Sequence, residues 1–295
     1  MTTEVAPALE EASVDERPDL LGAGKGRLSR LERFVIRFVQ RTFEPGAFDS
    51  VIRTLQRVIG STWIHHFTKH LRHVHGLERL PAFDPSQSYI VVANHRSFFD
   101  LYVITGDLVR RGLAHRIVFP VRSSFFYTSL TGLFVNGVMS FFAMYPPIFR
   151  ERKQLILNPL SLSELGFILR RGGAFAGLHP EGTRKKDDDP YTFLPAQRGV
   201  GKVIHEARVT VIPVFVNGLI NDLPKQILSN FDGSGRDIHV VFGAPLDFSD
   251  LYAERGGPKV HQAIADRALA AIAALGAEER EHRAQMDAAG VKSRG

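Results

Sequence analysis

Short apolar runs alternate with helical patterns from residue 88 to residue 275, and few layouts accommodate that alternation. Ser88-Tyr89-Ile90-Val91-Val92-Ala93 is a β-branched run that ends in Asn94-His95-Arg96, and it reads as a buried strand. A helix is predicted over 97–111, with Ser97 and Asp100 in a capping-box arrangement. Further strands are predicted at 116–121, Ala174–Leu178, Val209–Val216 and Ile238–Phe242. Pro213 points to a strand edge or end. Further helices are predicted at 158–171, 199–207 and 258–275, the first closing on Arg170-Arg171-Gly172-Gly173, a cationic turn with a glycine stop. This order indicates an α/β fold, a layered α/β/α domain with a mixed, mostly parallel sheet.

One stretch, 123–149, carries no formal charge and is long enough to cross a bilayer. Ser, Thr, Asn136, two glycines and Pro146-Pro147 interrupt it, however, and it reads as a buried helix followed by a strand at 139–145.

The N-terminal part is different. Residues 1–27 lack apolar periodicity and read as a disordered leader without the basic-then-apolar order of a secretory signal. In 28–43, Leu28, Leu31, Val35, Phe38 and Val39 recur at helical spacing, and Arg30, Arg33, Arg37 and Arg41 form a stripe. After the turn Glu44-Pro45-Gly46, residues 50–72 repeat the theme with Val51, Leu55, Val58, Ile59, Trp63 and Phe67. Two readings fit: an amphipathic helical hairpin lying on an anionic bilayer, or two surface helices packed on the core. His65, His66, His70, His73 and His75 fall in or beside this segment. With basic neighbours and no carboxylate before Glu78, they read as a solvated helix face and not a metal site.

Composition limits the chemistry. The chain has no cysteine, which excludes disulfides, thiolate metal sites and a cysteine nucleophile. A net charge of +6 calls for an anionic partner: nucleic acid, a membrane or a phosphorylated substrate. The aromatic residues are 22 phenylalanines against six tyrosines and one tryptophan, which leans toward lipid. No nucleic-acid motif is present, and the basic residues lie on amphipathic helices, so nucleic acid is set aside.

Three constellations carry candidate chemistry. His95, followed five residues later by Asp100 at a helix start, suits a general base whose tautomer a carboxylate holds. Glu181-Gly182-Thr183-Arg184 follows a strand; the glycine admits a ligand close to the backbone, and the hydroxyl and guanidinium suit phosphate. Arg150 stands where an apolar strand ends, as a snorkelling side chain or a phosphate clamp.

In order, Asn94-His95-x4-Asp100, Ile148-Phe149-Arg150, Pro180-Glu181-Gly182-Thr183-Arg184 and Val211-Ile212-Pro213-Val214 resemble the glycerolipid acyltransferase family, which includes bacterial 1-acylglycerol-3-phosphate acyltransferases. The resemblance spans about 76–245. Two departures stand out. Pro146-Pro147 interrupts the second motif, so Arg150 and Arg152 compete for its cationic role, and His179 replaces the phenylalanine common before Pro-Glu-Gly.

The resemblance implies a transfer without an acyl-enzyme. His95 deprotonates an acceptor hydroxyl, Asp100 orients His95, and the hydroxyl attacks an acyl thioester directly. Arg150, Glu181, Gly182, Thr183 and Arg184 hold the acceptor's phosphate and glycerol. The partners implied are a lysophospholipid acceptor, most specifically 1-acylglycerol 3-phosphate, an acyl thioester donor (acyl-CoA or acyl-carrier protein) and an anionic membrane surface. No cofactor or metal is required. The same motifs fit other acceptors, such as glycerol 3-phosphate, another lysolipid or an amino-acid lipid. A non-catalytic lipid-binding protein is the remaining reading. The expected organisation is a disordered leader (1–27), amphipathic membrane-facing helices (28–75), an acyltransferase domain (76–275) and a frayed tail (276–295), held at the cytoplasmic face of a membrane as a peripheral or monotopic protein.

Overall fold

A single sheet of seven strands organises the computed structural model, which describes residues 16–288. The strands are β1 (Arg72–His75), β2 (Tyr89–Ala93), β3 (Arg116–Arg122), β4 (Met144–Ile148), β5 (Ala174–Leu178), β6 (Thr210–Asn217) and β7 (Ile238–Phe242). Their spatial order is β1-β7-β6-β2-β5-β3-β4, and every pair is parallel except β6 with β7. Every residue of β2, β5 and β7 is buried, the condition that produces runs apolar on both faces.

The helices follow in chain order. α1 (Leu20–Ala23), α2 (Arg30–Arg41), α3 (Ala47–Leu55) and α4 (Ser61–Thr68) precede β1, with one π turn at Gln56–Gly60. α5 (Asp100–Arg110) follows β2; α6 (Ser123–Phe126) and α7 (Leu130–Ser140) lie between β3 and β4; α8 (Asn158–Arg170) leads to β5. α9 (Arg198–Ala207), α10 (Leu223–Asp232), α11 (Ser249–Tyr252) and α12 (Pro258–Ala288) complete the layers. α9 packs against α8 and α12, and α4 packs on α5 and α10. At Gly177 of β5 an added Cβ would come within 2.7 Å of Leu101, so glycine is what lets α5 lie this close to the sheet.

Several expectations are corrected here. The segment 50–72 does not stay helical to its end: Arg72–His75 is edge strand β1, paired with β7. The helix predicted from Ser97 begins at Asp100. Pro213 lies inside a central strand. Its carbonyl accepts from Gly243 N (2.9 Å), one step past the last β6–β7 pair, Val214↔Phe242, so its nitrogen faces the point where that ladder ends. The stretch 123–149 forms α6, α7 and β4, the strand starting later than predicted, and no helix among the described residues is long and apolar enough to cross a membrane.

The terminal segments are more tightly joined than expected. Residues 1–15 of the expected leader lie outside the described residues, but Arg17 pairs with the buried carboxylate of Glu164 (2.6 Å), and α1 forms within 16–27. Ser29 and Glu32 cap α2 reciprocally, and Val35, Ile36 and Val39 join the same core as the sheet. Gln56 bonds both backbone groups of Ile117 in β3, a polar tie between the π turn and the sheet. The helices over 30–68 therefore bury one face on the core and expose the other. At the far end α12 runs to Ala288, well past the predicted stop at 275, with Glu279 fully buried; of the expected tail, 289–295 lie outside the described residues.

Of the histidines in this segment, His66 and His70 are exposed as expected, whereas His73 and His75 belong to strand β1. His73 and His75 on β1 stack with His239 of β7 at 5.1 and 5.5 Å, and His75 stacks with His282 of α12 at 4.0 Å. His239 is 1% exposed, and neither of its ring nitrogens has a hydrogen-bond partner among the described residues. His66 and His70 lie against Phe231 instead.

Candidate active site

The parallel strands β2, β5, β3 and β4 all deliver their carboxyl ends to one side of the sheet, where ligands bind in folds of this kind. Asn94 stands at the end of β2. Its amide donates to Val216 O and accepts from Val216 N, both at 2.8 Å, so a side chain continues the β2–β6 ladder past Ala93↔Val214. That step fixes the backbone from which His95 projects.

The His95 ring lies with Nδ1 3.3 Å from Asp100 Oδ2. The same oxygen accepts from the backbone amides of Arg96 and Ser97, each at 2.8 Å. Asp100 thus reaches back over the turn before its helix, as the capping pattern predicts, and meets the imidazole as well. It is 1% exposed, and its Oδ1 has no partner among the described residues. His179 stacks on His95 at 3.8 Å and 8° between planes, and its Nδ1 donates to Ala93 O (2.9 Å).

Burial pushes the His95 pKa well down, and the Arg184 charge pushes it further, so the ring is neutral at pH 7. Burial likewise lowers His179 and raises Asp100, whose backbone donors and cationic neighbours oppose the shift. With Nδ1 facing the carboxylate, the neutral His95 ring keeps Nε2 open to take a proton. The donor atoms of His95, Asp100 and His179 lie within 4.8 Å of one another, a set of the kind that binds transition metals. In this geometry Nδ1 of each ring is already engaged, by Asp100 and by Ala93 O.

The second and third motifs meet. Arg150 Nη2 donates to Gly182 O (2.9 Å), while Arg152 is exposed with no polar partner among the described residues, so it is Arg150 that is brought to the third motif. Asn158 bonds both backbone groups of Phe149 and so fixes the strand exit that carries Arg150. Gly182 has φ +66°, a left-handed turn natural to glycine, and its amide donates to His179 O. Thr183 and Arg184 are exposed beside it, and Arg184 donates to Asn221 Oδ1.

Glu181 departs from its expected role. It is 2% exposed, and its two oxygens accept from His95 N (2.9 Å) and Leu194 N (2.8 Å). Both are engaged by backbone amides, so Glu181 ties the loops after β2 and β5 together and does not face a substrate. Two contributors escape sequence reasoning. Asn94 reads only as part of a motif, with no hint that it extends a ladder. Asn221 accepts from Phe98 N and donates to Arg96 O, pinning the β6–α10 loop against the His95 loop. An asparagine in a polar loop carries no periodic signal, so only the fold reveals it.

A cavity of ≈ 710 Å³ opens beside Asp100 and Arg184 and runs toward Arg236 and Arg283. Phe98, in the turn after His95, stacks on Phe126 of α6, whose neighbour Phe125 is exposed.

The chain is also similar to known proteins. A family model described as Acyltransferase matches residues 71–217. The chain is 24% identical over 226 residues to a chloroplastic 1-acyl-sn-glycerol-3-phosphate acyltransferase of Brassica napus, covering 74% of this chain and 58% of that protein. It is 26% identical over 181 residues to a chloroplastic protein of the same description from Arabidopsis thaliana, covering 60% and 45%. The chain thus spans about half the length of the curated relatives it matches. The solved structure of the 1-acyl-sn-glycerophosphate acyltransferase of Thermotoga maritima shares the fold, with a TM-score of 0.50 at 18% identity over 88% of this chain and 94% of that one. Motif order, fold and family match agree, and the chain carries an Acyltransferase-family domain over residues 71–217.

Proposed function

We propose that the protein transfers a fatty acyl group from an acyl thioester to the free hydroxyl of a lysophospholipid, with 1-acylglycerol 3-phosphate as acceptor and phosphatidic acid as product. The observation that carries this reading is a half-buried, neutral His95 with Nδ1 against Asp100, set beside cationic loops. The Nε2 lone pair takes the acceptor's proton as its oxygen attacks the thioester carbonyl. The imidazolium so formed returns that proton to the departing thiolate, and Asp100 stabilises the charged ring in between. Arg150 and Arg184, with Gly182 and Thr183, hold the acceptor phosphate. The donor is acyl-CoA or acyl-carrier protein.

The acceptor is a lipid, so the protein works at a bilayer surface. Support comes from the large apolar side chains that the fold leaves uncovered. Phe34, Phe48, Val51, Val58 and Ile59 on the N-terminal helices are exposed, as are Phe125, Leu130, Phe134 and Val138 on α6 and α7. Phe38 of α2 joins the two groups, with ring contacts to Phe34, to Phe48 of α3 and to Phe142 just after α7. Arg30, Arg37, Arg41 and Arg57 lie on the same helices, exposed and with no carboxylate partner among the described residues. An apolar patch accompanied by cations fits an anionic leaflet, here assigned to the cytoplasmic face, with peripheral attachment.

The test is acyl transfer from acyl-CoA to a panel of lysolipids in mixed micelles, with glycerol 3-phosphate included. The highest kcat/KM is expected with 1-acylglycerol 3-phosphate. A preference for another acceptor overturns that assignment, and absence of transfer to all of them overturns the reaction.

A further inference from the structure

The geometry points to a separate subsite for the phosphorylated carrier of the acyl donor, in the cavity between the 184–191 loop and the start of β7, with Lys186 and Arg236 as its anion-binding side chains. This rests on the acyl-transfer reading above.

Unpaired charge marks the place. Among the cations lining the cavity, Arg96 and Lys185 are paired with Asp187, Arg283 with Glu279, and Arg184, already assigned to the acceptor, bonds Asn221. Lys186 and Arg236 line the same space, exposed, with no carboxylate partner among the described residues. Asp188 and Asp237 also line the cavity but pair with neither of them, and unpaired cations facing a concave site attract an anionic ligand.

Position separates Arg236 from the acceptor's clamp, while Lys186 lines the same cavity from the loop after β5. Arg150 bonds the loop after β5. Arg236 precedes β7, two strands from β2 in the other direction, or about 10 Å at the usual strand spacing. Because β7 runs antiparallel to β6, its start lies at the same end of the sheet as His95. Arg150 and Arg236 therefore come from opposite sides of β2 in the sheet order. The reaction has two phosphorylated substrates, and the site has two cationic groups with His95 between them. Surroundings assign each. α6 packs on β4, which ends two residues before Arg150, and carries the exposed Phe125, part of the apolar side from which a lipid arrives. The Lys186–Arg236 flank is rich in charged groups, and α12 backs it: buried Glu279 bonds Tyr191, Asn217 and Arg283. A water-soluble carrier suits that side. At ≈ 710 Å³ the cavity also has room for far more than one phosphate. Acyl-CoA and acyl-carrier protein both present a phosphopantetheine arm, and that shared phosphate is the group assigned here.

Steady-state kinetics of the Lys186→Ala/Arg236→Ala variant test this in the full chain. Both side chains are exposed, so an unchanged Tm and circular dichroism spectrum are expected. The donor KM is expected to rise about tenfold or more with acyl-CoA and with acyl-carrier protein alike, the acceptor KM and kcat staying put. With acyl-pantetheine, which lacks the phosphate, wild type and variant should coincide. A rise in acceptor KM instead, or no rise in donor KM, overturns the subsite. Direct titration with CoA alone keeps this inference distinct from the reaction assignment. Weaker CoA binding by the variant supports the subsite even if no lysolipid is acylated; equal binding overturns it.

Discussion

Two groups of stacked histidines sit in this molecule, and they are built on opposite terms. At the end of β2, His95 and His179 stack at 3.8 Å, and each has its Nδ1 engaged, one by a carboxylate and one by a carbonyl. At the sheet edge, His239 stacks with His73 and His75, and both of its nitrogens are bare. Burial lowers the pKa in both groups, to about 3 for His239, where the Arg283 charge adds to it. Burial alone therefore does not make a base. A partner that fixes one nitrogen leaves the other with a defined lone pair and somewhere to place the charge once a proton arrives. His239 has no such partner, and its ring serves packing.

The contrast can be broken most forcefully at His95. His95→Ala is expected to lower kcat by about 10²–10⁴-fold with Tm nearly unchanged, read by acyl-transfer kinetics alongside thermal unfolding. A variant that keeps wild-type kcat would erase the distinction between the groups. The next largest effect concerns stability against pH. A histidine held neutral by the fold below its ordinary pKa of 6.5 leaves the unfolded chain binding more protons in that window. Stability is therefore full above pH 6.5 and falls as pH drops toward the folded value, about 3 for His239. Each such group costs about 1.4 kcal/mol per pH unit within the window. His239→Phe removes one of them, so urea unfolding from about pH 7.5 to 4.5 should show a shallower loss, while His95 and His179 keep the slope from vanishing. An unchanged slope would mean that the edge ring is not held neutral.

Smaller effects sharpen the comparison within the site. Arg184→Ala removes the cation that adds to burial at His95, so the acid limb of kcat should move to higher pH. An acid limb that stays in place would leave burial as its only cause. His179→Phe keeps a flat ring on His95 and is expected to change kcat least of these variants; a loss comparable to that of His95→Ala would place His179 in the proton path.

Much of the fold is legible because burial on both faces of a strand leaves an unbroken apolar run. Ala174–Leu178 and Ile238–Phe242 read as strands and are strands with those bounds. β1 is not legible: Arg-His-Val-His has one apolar residue, and only pairing with β7 makes it a strand. The continuation of α12 is hidden for a related reason, since a charged segment looks solvated until Tyr191, Asn217 and Arg283 are seen to converge on Glu279. In the site, residue types and spacing single out His95, Asp100 and the cationic loop residues. They do not give direction. Glu181 looks like a ligand carboxylate in one dimension and proves to be a clasp for two backbone amides. His179 is visible as a departure from the family pattern, but its stacking on His95 depends on β5 lying beside β2.

The reach of α12 also sets an order of events in time. Protein chains emerge from the N-terminus at about 5–20 residues per second, and domains fold as units once their parts are available. His95, Asp100 and Arg184 are all made before the wall behind the cationic cavity, which needs Glu279 and Arg283. Residues made well after the proposed base therefore complete the proposed donor side. A chain released short of α12 carries its histidine and carboxylate but lacks the surface that backs the charged cavity, so premature termination there removes the wall of the proposed donor site before it touches any residue of the proposed proton path.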